Sequence, residues 1–158
     1  MKIEKKDIVI RSVRLDDYDR IVEIDAKVIG RRRLVYYRRK MKMAFDIEQK
    51  LVTSLVAEVG GIVVGFIMGA VYIGEFGVFE TTATIETIGV DPDYQSHGIA
   101  RTMMEEYIKL VKKAGAERIV TQVRWNDVDL LRFFDKLGFT PEKSLNLEMD
   151  IVESDKDF

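Results

Sequence analysis

Thr-Ile-Glu-Thr-Ile-Gly-Val-Asp-Pro-Asp-Tyr-Gln-Ser-His-Gly-Ile-Ala-Arg, residues 84–101, reads as a strand, a short turn and the start of a helix. Ile85, Ile88 and Val90, with Thr84 and Thr87, are β-branched and suit the middle of a sheet. Asp91-Pro92 stops the strand, because proline lacks the N–H a ladder needs and biases its predecessor away from helix. A loop turning directly into a helix leaves the first N–H groups unpaired and adds the positive end of the helix dipole. Gly98 and Ala100 lack bulk, so an anion such as a pyrophosphate can approach those groups closely. Close packing of helix on sheet would also explain small residues here. The loop lacks the Gly-Lys-Ser/Thr ending of a Walker A sequence and the GxGxxG dinucleotide fingerprint.

Around this stretch, 158 residues suffice for one domain with a sizeable core, expected over 8–151 with a frayed tail at 153–158. The composition, 47% hydrophobic and 33% charged, is that of a globular chain. With no cysteine, a disulfide and a thiolate nucleophile are excluded, and a reducing cytoplasm is the expected compartment. One histidine and no cysteine also exclude zinc held by its usual nitrogen and sulfur ligands, and no metal is expected. The longest apolar stretch, 62–73, is too short to span a bilayer, and no membrane partner is expected. A net charge of −2 gives no overall pull toward nucleic acid.

In chain order, Ile8, Ile10 and Val13 suggest a first strand. Asp16 or Asp17 then caps a helix with the stripe Ile21, Ile24 and Val28, closing at Gly30. From Arg31 to Lys42 there are seven basic residues and no acid, with Leu34, Tyr37, Met41 and Phe45 at helical spacing. A strand at 54–59, the two-residue turn Gly60-Gly61 and an antiparallel return at 62–73 make a hairpin, followed by a loop around Gly74 to Gly77. After the helix from Gly98 to Ala114, ended by Gly115, a strand at 118–123 should lie parallel to the Thr84 strand. Asn126 or Asp127 caps a last helix, ended by Gly138, and Phe139 with 144–151 should close the sheet. The expected fold is α/β (an α+β mixed sheet) of about six to seven strands with helices on both faces.

Gln95-x-x-Gly98-x-Ala100, between a strand and a long helix, resembles the acyl-CoA loop of the GNAT superfamily of N-acetyltransferases. Val90-Asp91-Pro92-Asp93-Tyr94-Gln95 resembles that family's approach to the loop. Val123-Arg124-Trp125-Asn126 and Phe134-Asp135-Lys136-Leu137-Gly138-Phe139 resemble its second signature. The resemblance implies a splayed parallel strand pair around Ile88 and Gln122 that admits pantetheine. Backbone groups of Ile88, Gly89 and Val90 would meet the pantetheine arm, and Asn126 would bond it. The pyrophosphate would lie on Gln95, Ser96, His97, Gly98, Ile99, Ala100 and Arg101, with Phe134 beside the sulfur. The implied reaction moves acetyl from acetyl-CoA to a primary amine, on a small molecule or a protein, by direct attack in a ternary complex. The backbone N–H of Val90 would be the oxyanion donor. A non-catalytic acyl-CoA-binding or sensory domain is the alternative, and a homodimer is among the arrangements open to the chain.

Glu86, taken with a period of two, falls on the same side as Ile88 and Val90, where apolar neighbours would suit a general base. A structural carboxylate paired with an arginine or a backbone donor is the other reading. Two positions depart from the ribosomal-protein N-terminal acetyltransferases: Gln122 stands for a glutamate and Phe134 for a tyrosine acid. Gln122 cannot accept a proton and Phe134 cannot donate one, so that route of peptide N-terminal acetylation is not expected. Tyr94, Tyr107 or water is left as proton donor to the thiolate. His97 reads as a loop residue near phosphate rather than a base. The basic run reads as a solvated helix face or as a rim for an acidic substrate or the cofactor's phosphates. Outside that run 18 basic residues face 27 acidic ones, so nucleic acid is not the expected partner.

Overall fold

The computed structural model describes residues 2–46, 53–74, 77 and 79–151. The expected tail, 153–158, and part of the loop at 74–77 lie outside the described residues. The chain forms two compact units, Met1–Thr121 and Gln122–Phe158.

The first unit is built on a sheet of β1 (Ile8–Ser12), β2 (Leu55–Val59), β3 (Ile62–Ile73), β4 (Thr81–Val90) and β5 (Arg118–Thr121), in that spatial order. The first four strands pair antiparallel, and β5 lies parallel to β4. The β2–β3 turn is the expected Gly60-Gly61, whose φ values of +59° and +77° are open to glycine and costly to other residues. Between β1 and β2 run α1 (Tyr18–Ile29) and α2 (Leu34–Ala44); α3 (Ile99–Lys113) joins β4 to β5. Gly30 closes α1 in the left-handed region, as the sequence suggests.

Helices cover both faces of the sheet. A Cβ on Gly65 would press on Met103 of α3, and one on Gly69 would collide with the Tyr107 hydroxyl and the Thr84 carbonyl. These glycines therefore let α3 sit against β3. On the opposite face the Phe66 ring meets Tyr37 edge-on at 5.8 Å, and the space a Gly89 Cβ would take is filled by Phe66 and Ile24. The core of that side joins Ile21, Val22 and Ile24 to Tyr37, Met41, Val56, Phe66 and Met68. The stripes are shorter than their spacing suggests: Val28, Leu34 and Phe45 are all exposed, and they lie at helix ends, Val28 in the last turn of α1, Leu34 at the first residue of α2 and Phe45 just past its last.

The second unit holds α4 (Val128–Lys136), capped by Asp127 rather than Asn126: the Asp127 carboxylate accepts the Leu130 N–H at 3.2 Å. Phe134 is buried, with its ring centroid 5.2 Å from that of Phe133 and 4.9 Å from that of Phe139. Two strand expectations are corrected. The fifth strand stops at Thr121 instead of Val123, and residues 139–151 form no strand, so the described sheet has five strands rather than six to seven. Alternation at Leu145, Leu147, Met149 and Ile151 marks a segment suited to a pleated surface, but a strand exists only through a neighbour's hydrogen-bond ladder. Among the described residues this segment has no such ladder, and all four side chains are exposed.

Candidate active site

The Thr84 strand leads into the loop through a tightly held corner. Asp91 is fully buried; its carboxylate accepts from Arg20 Nη2 at 2.6 Å, Lys27 Nζ at 2.9 Å and the Asp93 N–H at 3.1 Å. Burial alone would raise this carboxyl, yet the bonds from Lys27, the Asp93 N–H and Arg20 together outweigh it and hold the group below the usual carboxylate range. The Asp91 N–H bonds the Val64 carbonyl at 2.8 Å, and Arg20 Nε bonds that of Val63 at 2.8 Å. Asp91-Pro92 thus does more than end a strand. It ties the loop to both α1 and β3.

The loop then reverses through two left-handed residues, Ser96 at φ +65° and Gly98 at φ +76°, before α3 begins. The first turn of α3 returns one bond, Thr102 N–H to the Gly98 carbonyl at 2.9 Å. The N–H groups of Ser96, His97, Gly98, Ile99, Ala100 and Arg101 have no partner among the described residues. Six successive donors at a helix start make a concave site for anionic oxygens. A Cβ at Gly98 would meet nothing within 4 Å, so glycine serves the backbone conformation there and leaves the cradle open.

Strand geometry supplies the other half. The β4–β5 ladder runs only from Thr82↔Arg118 to Ile85↔Thr121, leaving residues 86–90 without a strand on that edge among the described residues. Because the Asp91 N–H faces β3, alternation along an extended chain turns the amides of Ile88 and Val90 to the open edge. Gln95 Nε2 donates to the Val90 carbonyl at 3.1 Å, which leaves the Val90 N–H as the free group. An extended chain bearing amides, continuing into phosphates, matches this edge and cradle in sequence.

Glu86 is the position the sequence misplaces. The β3–β4 register jumps from Met68↔Thr87 to Gly69↔Ile85, so Glu86 is the extra residue of a β-bulge. The bulge breaks the period of two. Ile88 and Val90 pair with Ile67 and Gly65 and share the α3 face, whereas Glu86 faces α2. There its carboxylate is gripped by Lys40 Nζ and accepts from Tyr72 Oη at 3.1 Å. The Glu86 side chain is 22% exposed. Its neighbours are a cation and a phenol, not the apolar side chains expected.

Next to it lies a network the sequence does not signal. Asp25, buried on α1, accepts from Arg33 Nε at 2.9 Å, Arg33 Nη2 at 2.7 Å and Tyr37 Oη at 2.7 Å. With the Tyr37 proton given to Asp25, the Thr87 hydroxyl donates to Tyr37 Oη at 3.1 Å. Burial, above all, raises the Tyr37 hydroxyl beyond its ordinary range and keeps it a donor. The network joins α1 and α2 to β4 immediately beside the bulge. Of the two tyrosines considered as proton donor, Tyr107 is excluded by its setting. It is buried, gives its proton to the Thr84 carbonyl at 2.6 Å, and burial pushes it up to about 12. His97 sits half-buried in the loop.

The sequence model of the acetyltransferase (GNAT) family matches residues 18–139. The chain belongs to this family. It is therefore an acetyltransferase, with the GNAT fold. An N-alpha-acetyltransferase of Saccharolobus solfataricus is 26% identical over 150 residues, covering 91% of this chain and 87% of that protein. A crystal structure described as a transcriptional regulator from Bacillus halodurans superposes with a TM-score of 0.74 at 25% identity, over 90% of this chain and 99% of that one. The aminoglycoside N-acetyltransferase AAC(6')-Iy in complex with CoA superposes at a TM-score of 0.75 over 92% and 95% of the two chains. At 12% identity that likeness shows the fold alone. No helix among the described residues is long and apolar enough to cross a membrane. Asn126 and Phe134 belong to the second unit, and Asn126 is exposed.

Proposed function

We propose that this GNAT protein, acting as one cytoplasmic domain, transfers acetyl from acetyl-CoA to a primary amine by direct attack in a ternary complex. The observation that carries this reading is the run of six N–H groups, Ser96 to Arg101, without a partner among the described residues, next to the edge of β4 at Ile88 and Val90 that no described strand covers. Acetyl-CoA supplies a thioester whose carbonyl carbon accepts the amine and whose sulfur leaves. Ile88 and Val90 would hold the pantetheine amides, whereas Gly89, whose N–H and carbonyl face Phe66 on β3, would not; Gln95 keeps Val90 in place, and 96–101 would take the pyrophosphate.

The chemistry needs an amine without its proton, a donor for the charge gathering on the carbonyl oxygen, and a proton for the departing thiolate. Val90 N–H is the donor. Glu86, facing α2 from the bulge, takes the amine's excess proton through water once the acceptor ammonium has displaced Lys40 from it. Water or Tyr94 supplies the thiolate's proton, since Tyr107 is locked and a thiol with an ordinary value near 8.5 leaves without strong assistance.

Thiol release from acetyl-CoA, screened against amino acids, polyamines, peptides and aminoglycosides, tests the reaction. Glu86→Gln should lower turnover by about 10²-fold while CoA binding holds. An unchanged rate and pH profile in that variant would leave Glu86 a structural counter-ion of Lys40. Tight CoA binding with no thiol release from any amine would favour the non-catalytic acyl-CoA binder.

A further inference from the structure

The basic run 31–42 divides in the structure. Arg33 turns inward to Asp25 and Lys40 turns inward to Glu86. Arg31, Arg32, Arg38, Arg39 and Lys42 are exposed and have no acidic partner among the described residues. The inward cations line one side of α2: Lys40 Nζ lies 5.5 Å and the Arg33 guanidinium 4.6 Å from the Tyr36 ring centroid. Helical spacing places Tyr36, Arg39, Lys40 and Met43 on adjoining positions of that side. The bulge carboxylate therefore faces a helix that carries three cations, Arg38, Arg39 and Lys42, with no acidic partner among the described residues, Arg31 and Arg32 lying just before it.

This arrangement discriminates among amines. An acceptor ammonium competes with Lys40 at Glu86, because a carboxylate can bond two cations, as Asp91 bonds Arg20 and Lys27, but its single charge offsets only one of them. A purely cationic acceptor would then leave one positive charge uncompensated on the helix that also carries Arg38, Arg39 and Lys42. An acceptor carrying a carboxylate near its amine exchanges one ion pair for two: ammonium on Glu86, and carboxylate on Lys40 with Arg39 behind it. Every charge stays paired only in the second case.

We propose that Lys40 is the specificity-determining residue of the acceptor site and that it selects amines bearing a neighbouring carboxylate, such as a peptide acidic just after its terminal amine. This rests on the transfer reaction proposed above, with Glu86 at the amine. Lys40 leaves Glu86, swings on its flexible stem and receives the acceptor's anion, freeing Glu86 for the ammonium and its proton. Arg38, Arg39 and Lys42 raise the local concentration of such acceptors through their field, an effect that salt screens.

The experiment compares three peptides with one N-terminal alanine, followed by two aspartates, two alanines or two lysines, together with spermidine. Thiol release gives kcat/KM, and anisotropy of the labelled peptides, with CoA present, gives affinity without requiring turnover. The acidic peptide should lead the neutral one by about tenfold or more, within the reach of one charged hydrogen bond, and the lead should shrink at 0.5 M salt. Lys40→Met should bring the acidic-to-neutral ratio of kcat/KM and of affinity close to one, whatever it does to the neutral peptide's own rate. Arg39→Glu, at an exposed position, should weaken the acidic peptide alone. Equal or tighter binding of the neutral or lysine peptide would overturn the proposal, as would Lys40→Met lowering all acceptors alike. If no amine releases thiol, the transfer reading fails, while salt-sensitive preference for the acidic peptide in the binding arm still supports the selectivity and its absence refutes it.

Discussion

Replacing Gly98 by glutamate separates folding from cofactor binding, because the structure allows the two costs to be worked independently. Gly98 has φ +76°, and an L side chain in the left-handed region costs roughly 1–2 kcal/mol. No atom lies within 4 Å of the added Cβ, so no clash adds to this strain. At roughly 2–4 °C per kcal/mol for a chain of this size, the apo variant should melt about 2–8 °C below the parent. A carboxylate about 5 Å from a phosphate charge costs roughly 3 kcal/mol per charge at an effective dielectric constant near 20, more than a hundredfold in affinity. CoA at about a hundred times its Kd stabilises the parent by about 2.7 kcal/mol, or roughly 5–11 °C, and that shift should vanish in Gly98→Glu. Gly115, at the other end of α3 with φ +86° and equally open space, is the matched control. Gly115→Glu should lower the apo midpoint similarly and keep the full CoA shift. Thermal shift with and without CoA reads both variants. If Gly98→Glu is stabilised by CoA as the parent is, or if Gly115→Glu loses the shift too, residues 96–101 do not hold the phosphates.

Asp91→Asn removes the carboxylate that joins Arg20 and Lys27. Its group is depressed when folded, so its stabilisation is complete above the ordinary carboxyl range and fades as pH falls below about 4. In urea melts from pH 7 to 3 the variant should start about 1.5–3 kcal/mol below the parent and converge with it in acid; a gap constant with pH would refute the linkage. Tyr107→Phe should cost about 1–3 kcal/mol, since it strips the hydroxyl from the buried Thr84 carbonyl, and should leave turnover within a few-fold. A collapse of turnover with loss of its alkaline limb would restore Tyr107 as the acid. Phe134→Tyr puts a hydroxyl into the ring cluster of Phe133 and Phe139, with an expected loss of about 1–3 kcal/mol by chemical unfolding. A stability equal to the parent's would show that the hydroxyl finds a partner.

Much of the fold is written locally in the chain. Gly60-Gly61 names its own turn, Gly30, Gly115 and Gly138 end their helices, and Gln95 to Ala100 announces a cradle, because each signal acts within a few residues of backbone. The backbone of that turn and helix start was therefore legible before any tertiary contact. The surroundings of Glu86 were not. Glu86 faces α2 because of a bulge that arises between β3 and β4, and a period-of-two reading has no access to a register set by another strand. Lys40, Arg33 and the Asp25–Tyr37–Thr87 network depend on partners up to 50 residues away, and a run of arginines and lysines does not tell which members turn inward. Residues 144–151 fail in the opposite sense: alternation is present, but a ladder requires a neighbour that alternation does not supply. Sequence by itself determined the turns, the helix ends and the order of elements from β1 to α4 through local backbone chemistry; only the packed sheet decided which charges meet, because long-range register and burial settle that.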